Sequence, residues 1–349
     1  MSTTRPELFV AGVPYEIGVQ YGNAMAAEID RFLHDGLARI NRLRDTPLSA
    51  AAVSKFVGES AFWIEKEIPA IAEQVSGLAA GAGITYEQAM SLQLRRELIR
   101  HPREAGDCTS IAHVGNGRGP LIAQNVDLVG DLSELSLVLH VESSDASRPK
   151  ICLLTFVGLC AYLGINSHGL AVGINMVTSA GWRAGVPPYL LVGHILGCSS
   201  IAEALDELAR IRRASSRYFV LADPGEAVGV EMTVTDLRIL RAPLLAHANH
   251  FLHPDLQSLE TKSGAELACS HDRLQRIASL AARGVDAQEM LGDHDGFPNS
   301  ICVHNNGDLR EIETVAGVVM VPRNRELRIA FGHPCRSEFR AYTAVAFPS

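Results

Sequence analysis

The chain has 349 residues, 47% of them apolar, so it carries enough nonpolar side chain to bury a sizeable core. Acidic residues outnumber basic ones 39 to 31, for a net charge of -8, a balance that does not favour a nucleic-acid partner. No apolar run reaches the roughly 18 residues of a membrane helix, so no membrane partner is expected. The seven cysteines are scattered without a CxxC pair, which argues against a disulfide framework. The start, Met1 to Glu7, has neither the basic lead nor the apolar core of a secretory signal. A reduced, cytoplasmic setting is the expectation.

The first hundred residues read mainly as helix. Apolar residues fall at helical spacing over Ala24 to Leu37 and again over Ser49 to Ala80, until Gly81 and Gly83 interrupt. Thr85 to Ile99 continues the pattern, with Thr85 and Gln88 spaced as a capping box and Pro102 as a stop. The texture then turns to short β-prone runs. Ser110 to Val114 and Leu121 to Ala123 flank a glycine-rich turn and read as a hairpin. Further strands are expected at Ser136–Val141, Ile151–Val157 and Leu170–Val177. Helices follow at Pro187–Leu196 and at Ile201–Ile211, the latter capped by Ser199 or Ser200. Strands resume at Tyr218–Leu221, Gly229–Thr233 and Leu237–Leu240, then a helix at Asp272–Ala282. The last strands are expected at Ile301–Val303, Thr314–Met320 and Leu327–Phe331. No repeat or linker breaks the series, so a single domain over residues 1–349 is expected. Sheets covered by helices form layered domains, and nothing alternates regularly enough for a dinucleotide fold.

Cys108 stands at the change of texture, in Gly106-Asp107-Cys108-Thr109-Ser110. If the Asp107–Cys108 peptide bond breaks, Cys108 gains a free α-amine beside its own thiol. Such an amine has a pKa near about 8, so it can take the thiol proton and later return it to a leaving amine. The cut needs no protease. The thiol attacks the Asp107 carbonyl, the acyl group shifts from nitrogen to sulfur, and water hydrolyses the thioester. The residues alone leave open the plainer reading, a small buried hydrophobe at a strand start.

Several pieces of sequence then resemble one family in order: Gly12-Val13-Pro14-Tyr15-Glu16-Ile17-Gly18 with Gly22, the Cys108 segment, and Gln124-Asn125-Val126-Asp127. They continue with Asn166 to Ala171, His247-Ala248-Asn249-His250-Phe251, His294-Asp295-Gly296, Ser300 to His304, and Gly332-His333-Pro334-Cys335. The set, spread over nearly the whole chain, resembles the acyl-CoA:6-aminopenicillanate acyltransferase family of cysteine N-terminal-nucleophile enzymes. The resemblance implies an α+β fold, an αββα four-layer sandwich. It also implies self-cleavage at Asp107/Cys108 into a mainly helical small chain, 1–107, and a large chain, 108–349, that carries the nucleophile.

The same resemblance implies roles for other residues. Asn249 becomes the amide donor to the oxyanion, where a local turn bond is the alternative. Asp127 becomes a carboxylate orienting the Cys108 amine or thiol, where an Asx-turn cap is the alternative. Asn125 is expected to hold that loop, Thr109 and Ser110 to assist by hydroxyl or backbone, and His250 either to line the site or to pack. Trp182, between Gly181 and Gly185, is a pocket candidate. Gly317 departs from the family pattern, in which serine is common; the change removes a hydroxyl or opens space. His294, His304 and His333 lie near Cys302 and Cys335, but no zinc-ligand spacing is recognisable, so no metal and no cofactor are expected. The expected activity is hydrolysis of a small N-acyl or peptide-like amide through a Cys108 thioester. Acyl transfer from an acyl-CoA or amide donor to an amine is the first alternative, and a non-catalytic scaffold the second. A homo-oligomer is compatible with the sequence.

Overall fold

The computed structural model describes residues 5–42, 44, 46–99, 108–113, 119–305, 307, 308 and 311–345. The front segment opens on a strand the sequence did not suggest, β1 (Glu7–Gly12), and continues with α1 (Pro14–Ala24), α2 (Ala26–His34) and α3 (Gly36–Arg42). The long helix expected over 49–80 is two helices, α4 (Ala50–Glu67) and α5 (Pro69–Ala82). Pro69 sets the break: it disfavours helical backbone at Ile68, which lies at φ -139°, and it starts α5. Ser49 caps α4, its hydroxyl accepting from the Ala52 N–H. Thr85 and Gln88 form the expected capping box on α6 (Tyr86–Gln93), followed by α7 (Arg95–Ile99).

The β-rich part begins with the hairpin β2 (Thr109–His113) and β3 (Leu121–Val129). Next come β4 (Ser136–Ser143), β5 (Ile151–Phe156), β6 (Leu163–Asn166) and β7 (Ala171–Asn175). After α8 (Pro188–Ile195) and α9 (Ile201–Arg210) lie β8 (Arg217–Ala222), β9 (Ala227–Met232), β10 (Leu237–Leu240) and β11 (Leu244–His247). The chain ends with α10 (Pro254–Gln257), α11 (Gly264–Ala282), α12 (Ala287–Leu291), β12 (Ile312–Val321), β13 (Glu326–Phe331) and β14 (Arg340–Thr343). The strand expected at 301–303 is irregular chain instead. Its backbone groups are taken by other partners: Asn125 donates to the Ile301 carbonyl, Cys302 N–H donates to Asp293, and Val303 N–H donates to the Thr314 hydroxyl.

The strands form two sheets. One has eight strands in the order β1-β4-β5-β6-β7-β8-β9-β10, and the other six in the order β11-β2-β3-β12-β13-β14. Every pairing is antiparallel except β1 with β4. That parallel pair needs a long crossover, and the front helices lie within it. The sheets face each other through β2 and β3 against β7 and β8. Alternation along β3 sends Ile122 and Val126 into the core between the sheets, and sends Ala123 outward. Ala123, Ile111 and Val319 pack there against Ile277 and Leu280 of α11 and Leu291 of α12. On the far side, α1, α5 and α8 cover the larger sheet. The result is the αββα sandwich, two stacked sheets between helical layers.

Glycines bring α1 and α5 backbone to backbone. Gly18 and Gly22 on α1 face Gly77 and Gly81 on α5, each pair four residues apart and so on one helix face. A Cβ at Gly18 would overlap the Gln74 carbonyl, and one at Gly77 would overlap the Tyr15 carbonyl. Gly77→Ala is therefore expected to destabilise the protein by about 1–3 kcal/mol, the usual cost of overpacking. Gly58→Ala, which meets open space, is expected not to destabilise. Urea unfolding checks both, and equal stabilities would contradict the close packing.

Candidate active site

Cys108 lies one residue before β2, buried between the sheets at 3% exposure. Its surroundings come from both sheets and the front helices. A cavity of about 30 Å³ opens beside it, lined by Leu128, Ile174 and Met176, by the rings of Tyr162 and Tyr189, and by Arg96 and Arg217. That space holds roughly two water molecules.

The Cys108 sulfur meets two donors, the backbone N–H of Asp127 and the Tyr162 hydroxyl. Burial nevertheless pushes the thiol up to about 11, and the Asp127 carboxylate adds to the rise. The two donors and the Arg273 guanidinium offset only part of it. The thiol is thus neutral at neutral pH, and nucleophilic chemistry here requires a base within reach.

The backbone of Cys108 is held as firmly as its sulfur. Its carbonyl accepts from Arg273 Nη1 at 3.1 Å and from Asn175 Nδ2 at 3.2 Å. The same Arg273 nitrogen donates to the Thr109 hydroxyl at 2.8 Å, and Nη2 donates to Asn249 Oδ1 at 2.9 Å. Thus a single guanidinium, wholly buried, spans Cys108, Thr109 and Asn249. Asn175 at the end of β7 also donates to the carbonyls of His247 and Ala248, tying the larger sheet to the segment that carries Asn249. Gln124 of β3 adds a second tie, pairing both its amide atoms with the backbone of Ile174 at 2.5 and 3.0 Å.

Asn249 orients with its Oδ1 toward Arg273 and its Nδ2 toward the Met176 carbonyl, 3.0 Å away at the cavity wall. Its backbone N–H donates to the Ser270 hydroxyl at 2.7 Å. The loop is fixed further by the buried pair His247–Glu231 at 2.9 Å, on which Tyr218 stacks at 3.6 Å. Glu231 also accepts the N–H groups of Leu252 and His253. Burial alone would raise its carboxyl, but these bonds and His247 bring it below the usual range.

The other expected residues divide. Asp127 touches the site through its backbone, while its Oδ1 accepts from Thr314 at 2.6 Å across the β3–β12 ladder. Thr109 joins the Arg273 network, and Ser110 is buried on β2 between Gln124 and His247. Asn125 points away from the cavity and donates to the carbonyls of Leu291 and Ile301. His250 packs rather than lining the cavity: Nδ1 meets Ser270 at 2.7 Å and the ring lies 4.0 Å from His271. Burial first, and His271 second, lower its pKa to about 4. Trp182 donates to Ser216 at 3.0 Å, and its ring lies 5.7 Å from the Arg217 guanidinium, so it braces a cavity residue. Asp107, the other side of the expected cut, lies outside the described residues.

Gly317 does not open space. It sits opposite Asn125, on the face away from the Cys108 cavity, and a Cβ there would overlap the Pro334 ring. The room left by the missing side chain is filled by Pro334.

Arg273, Tyr162, Asn175 and Arg217 also belong to the site, and no motif in the sequence marks them out. Arg273 left a trace. Ser270, Arg273, Ile277 and Leu280 share the buried face of α11, so a cation sits at a core position of an amphipathic helix. The sequence pattern starts this helix at 272, eight residues too late to expose that phase.

The sequence matches the family described as acyl-coenzyme A:6-aminopenicillanic acid acyl-transferase over residues 114–336. The chain belongs to this family. It is 25% identical over 333 residues to the 40 kDa form of acyl-coenzyme A:6-aminopenicillanic-acid-acyltransferase from Emericella nidulans, covering 93% of this chain and 91% of that one. Among solved structures, penicillin V acylase from Agrobacterium tumefaciens superposes with a TM-score of 0.44 at 14% identity, over 64% of this chain and 83% of that one. A variant of conjugated bile acid hydrolase from Clostridium perfringens gives 0.44 at 12% identity, over 68% and 97%.

Replacing Arg273 by Met keeps much of the volume and removes every donor. The Thr109 hydroxyl and the Asn249 amide oxygen lose a buried donor, at about 1–3 kcal/mol for each, and the Cys108 carbonyl keeps only Asn175. Arg273→Met is expected to cost at least about 2 kcal/mol in urea unfolding. Arg273→Lys should restore little, because one ammonium cannot span the three acceptors. A loss below about 1 kcal/mol in the Met variant would contradict the clamp.

Proposed function

We propose that the protein is a self-processing cysteine amidohydrolase of the N-terminal-nucleophile type. The observation that carries this reading is the Cys108 thiol itself: buried, raised to about 11, and set immediately before the first residue of a strand. Among the described residues, no side chain contacting the sulfur is an ordinary base, since Tyr162 is a donor whose own ionisation is pushed far up by burial. A free α-amine at Cys108 would place a base of the right strength, near about 8, on the same residue. Its release by cleavage between Asp107 and Cys108 yields a small chain of residues 1–107 and a large chain of 108–349, both parts of one folded unit.

The cycle follows from the contacts. The Cys108 amine takes the thiol proton as sulfur attacks the amide carbonyl. The developing oxyanion accepts from Asn249 Nδ2, which turns from the Met176 carbonyl, and losing such a donor typically costs about 3 kcal/mol. Arg273 holds Asn249 in place and keeps the Cys108 carbonyl fixed. The tetrahedral intermediate collapses, the C–N bond breaks, and the Cys108 ammonium protonates the departing amine. Water then attacks the thioester, giving the carboxylic acid and the free thiol. No cofactor takes part in this cycle, and we place the reaction in the reduced cytoplasm.

Acyl transfer is the second reading, favoured by the Emericella nidulans relative, whose name describes transfer from acyl-coenzyme A to 6-aminopenicillanic acid. The two share the thioester and differ in what resolves it. Product appearing without an added amine supports hydrolysis; product only with one supports transfer.

Freshly purified protein is expected to give two masses divided at Asp107/Cys108, and the Cys108→Ala variant one unbroken mass. One unbroken chain in both after prolonged incubation would sink the self-processing mechanism.

A further inference from the structure

Away from the Cys108 cavity, three separate segments converge on one point. His294 follows α12, Cys302 and His304 lie in the irregular chain before β12, and Cys335 follows β13. One ligand atom from each lies within 4.8 Å of the other three. His304 Nε2 is 3.6 Å from the Cys302 sulfur and 3.3 Å from the Cys335 sulfur. With zinc–sulfur bonds near about 2.3 Å and zinc–nitrogen bonds of about 2.0–2.1 Å, tetrahedral edges run about 3.3–3.8 Å. The two measured edges already fall at these lengths.

We propose that His294, Cys302, His304 and Cys335 form a closed Cys2His2 site for a zinc ion. Four soft or borderline donors with no carboxylate among them suit zinc over magnesium or calcium. Both thiols give up their protons to solvent on binding, and the two negative sulfurs neutralise the ion. A disulfide between Cys302 and Cys335 would account for neither histidine. His304 Nε2, by contrast, lies against both sulfurs, as a ligand sharing their ion must.

The surroundings are built for the site. His333 stacks on His304 at 3.7 Å with its Nε2 3.3 Å from Glu313, which fixes the plane of the His304 ring. The Cys335 backbone N–H points to the Cys302 sulfur. Two glycines make room. Gly317 lets Pro334 lie flat on β12, and Gly292 lets the Cys335 backbone come in, since a Cβ at Gly292 would stand only 3.3 Å from Cys335 Cα. The glycine that departs from the family pattern is thus the one that seats the last ligand. Cys302 is buried, while His294 and Cys335 are exposed and give the ion a path in. Bound zinc would pin residues 291–304, whose carbonyls at Leu291 and Ile301 hold Asn125.

The test is cobalt binding to the full-length, reduced, metal-stripped protein. Wild type is expected to take one equivalent per chain, with the thiolate charge-transfer band and visible bands of a tetrahedral site, both lost when zinc is added. Cys335→Ser and His294→Ala change exposed side chains and should fold as wild type by circular dichroism, yet bind cobalt at least tenfold more weakly. Cys269→Ser should bind as wild type. Zinc should raise the thermal midpoint of wild type and not of Cys335→Ser. Absence of the thiolate band in reduced wild type, or equal affinity in all three variants, would overturn the site.

Discussion

The buried guanidinium of Arg273 is the interaction on which the rest of the site depends. A charge taken out of water is tolerated only where its donors are used, and here they reach a carbonyl, a hydroxyl and an amide oxygen. These three acceptors belong to Cys108, Thr109 and Asn249, which come from the residue before β2, from β2 itself and from the loop after β11. Without the clamp, the Thr109 hydroxyl and the Asn249 amide oxygen would lose a buried donor, and the Cys108 carbonyl would keep only Asn175. Asn175 and Gln124 do for the two sheets what Arg273 does for the strand start. Their amides bond to backbone groups across the sandwich, so the sheets cannot slide without breaking them. Cys108 therefore sits at a point fixed from α11, from β7 and from β3 together.

The front segment is part of this arrangement. β1 extends the larger sheet by pairing with β4, and α1 and α5 lock through their glycines beneath it. Arg96 of α7 reaches the cavity wall, and Glu97 accepts from Ser215 while facing Arg217. All of these contacts are noncovalent. A break before Cys108 would remove one peptide bond and leave the ladder, the glycine seam and the cavity wall in place.

Much of the fold was legible because it rests on local chemistry. The capping box at Thr85, the hairpin around residues 109–123 and the amphipathic α9 each follow from short-range pattern. What was missed depends on distant partners. β1 and β14 are edge strands of ordinary composition, defined only by the neighbours they find. Ile301 to Val303 has strand-like residues, but its backbone bonds are spent on Asn125, Asp293 and Thr314. The site divides the same way. Cys108 stands out by its place at the change of texture, and Asn249 by resemblance. Tyr162 and Asn175 look like ordinary strand residues until the second sheet is laid against the first. Gly317 reads as a lost hydroxyl in sequence and as a seat for Pro334 in space.

In the proposed mechanism, a thiol too buried to ionise on its own gains its base from its own backbone. The most direct measurement is the rate of Cys108 alkylation by iodoacetamide against pH, read by mass on unbroken and cut chains from the same preparation. In the unbroken chain the rate should keep rising past about pH 9, toward the thiol pKa of about 11. In the cut chain it should be faster near neutrality and level off around the amine pKa of about 8. Identical profiles in the two forms would contradict the account, because cleavage would then have given Cys108 no base.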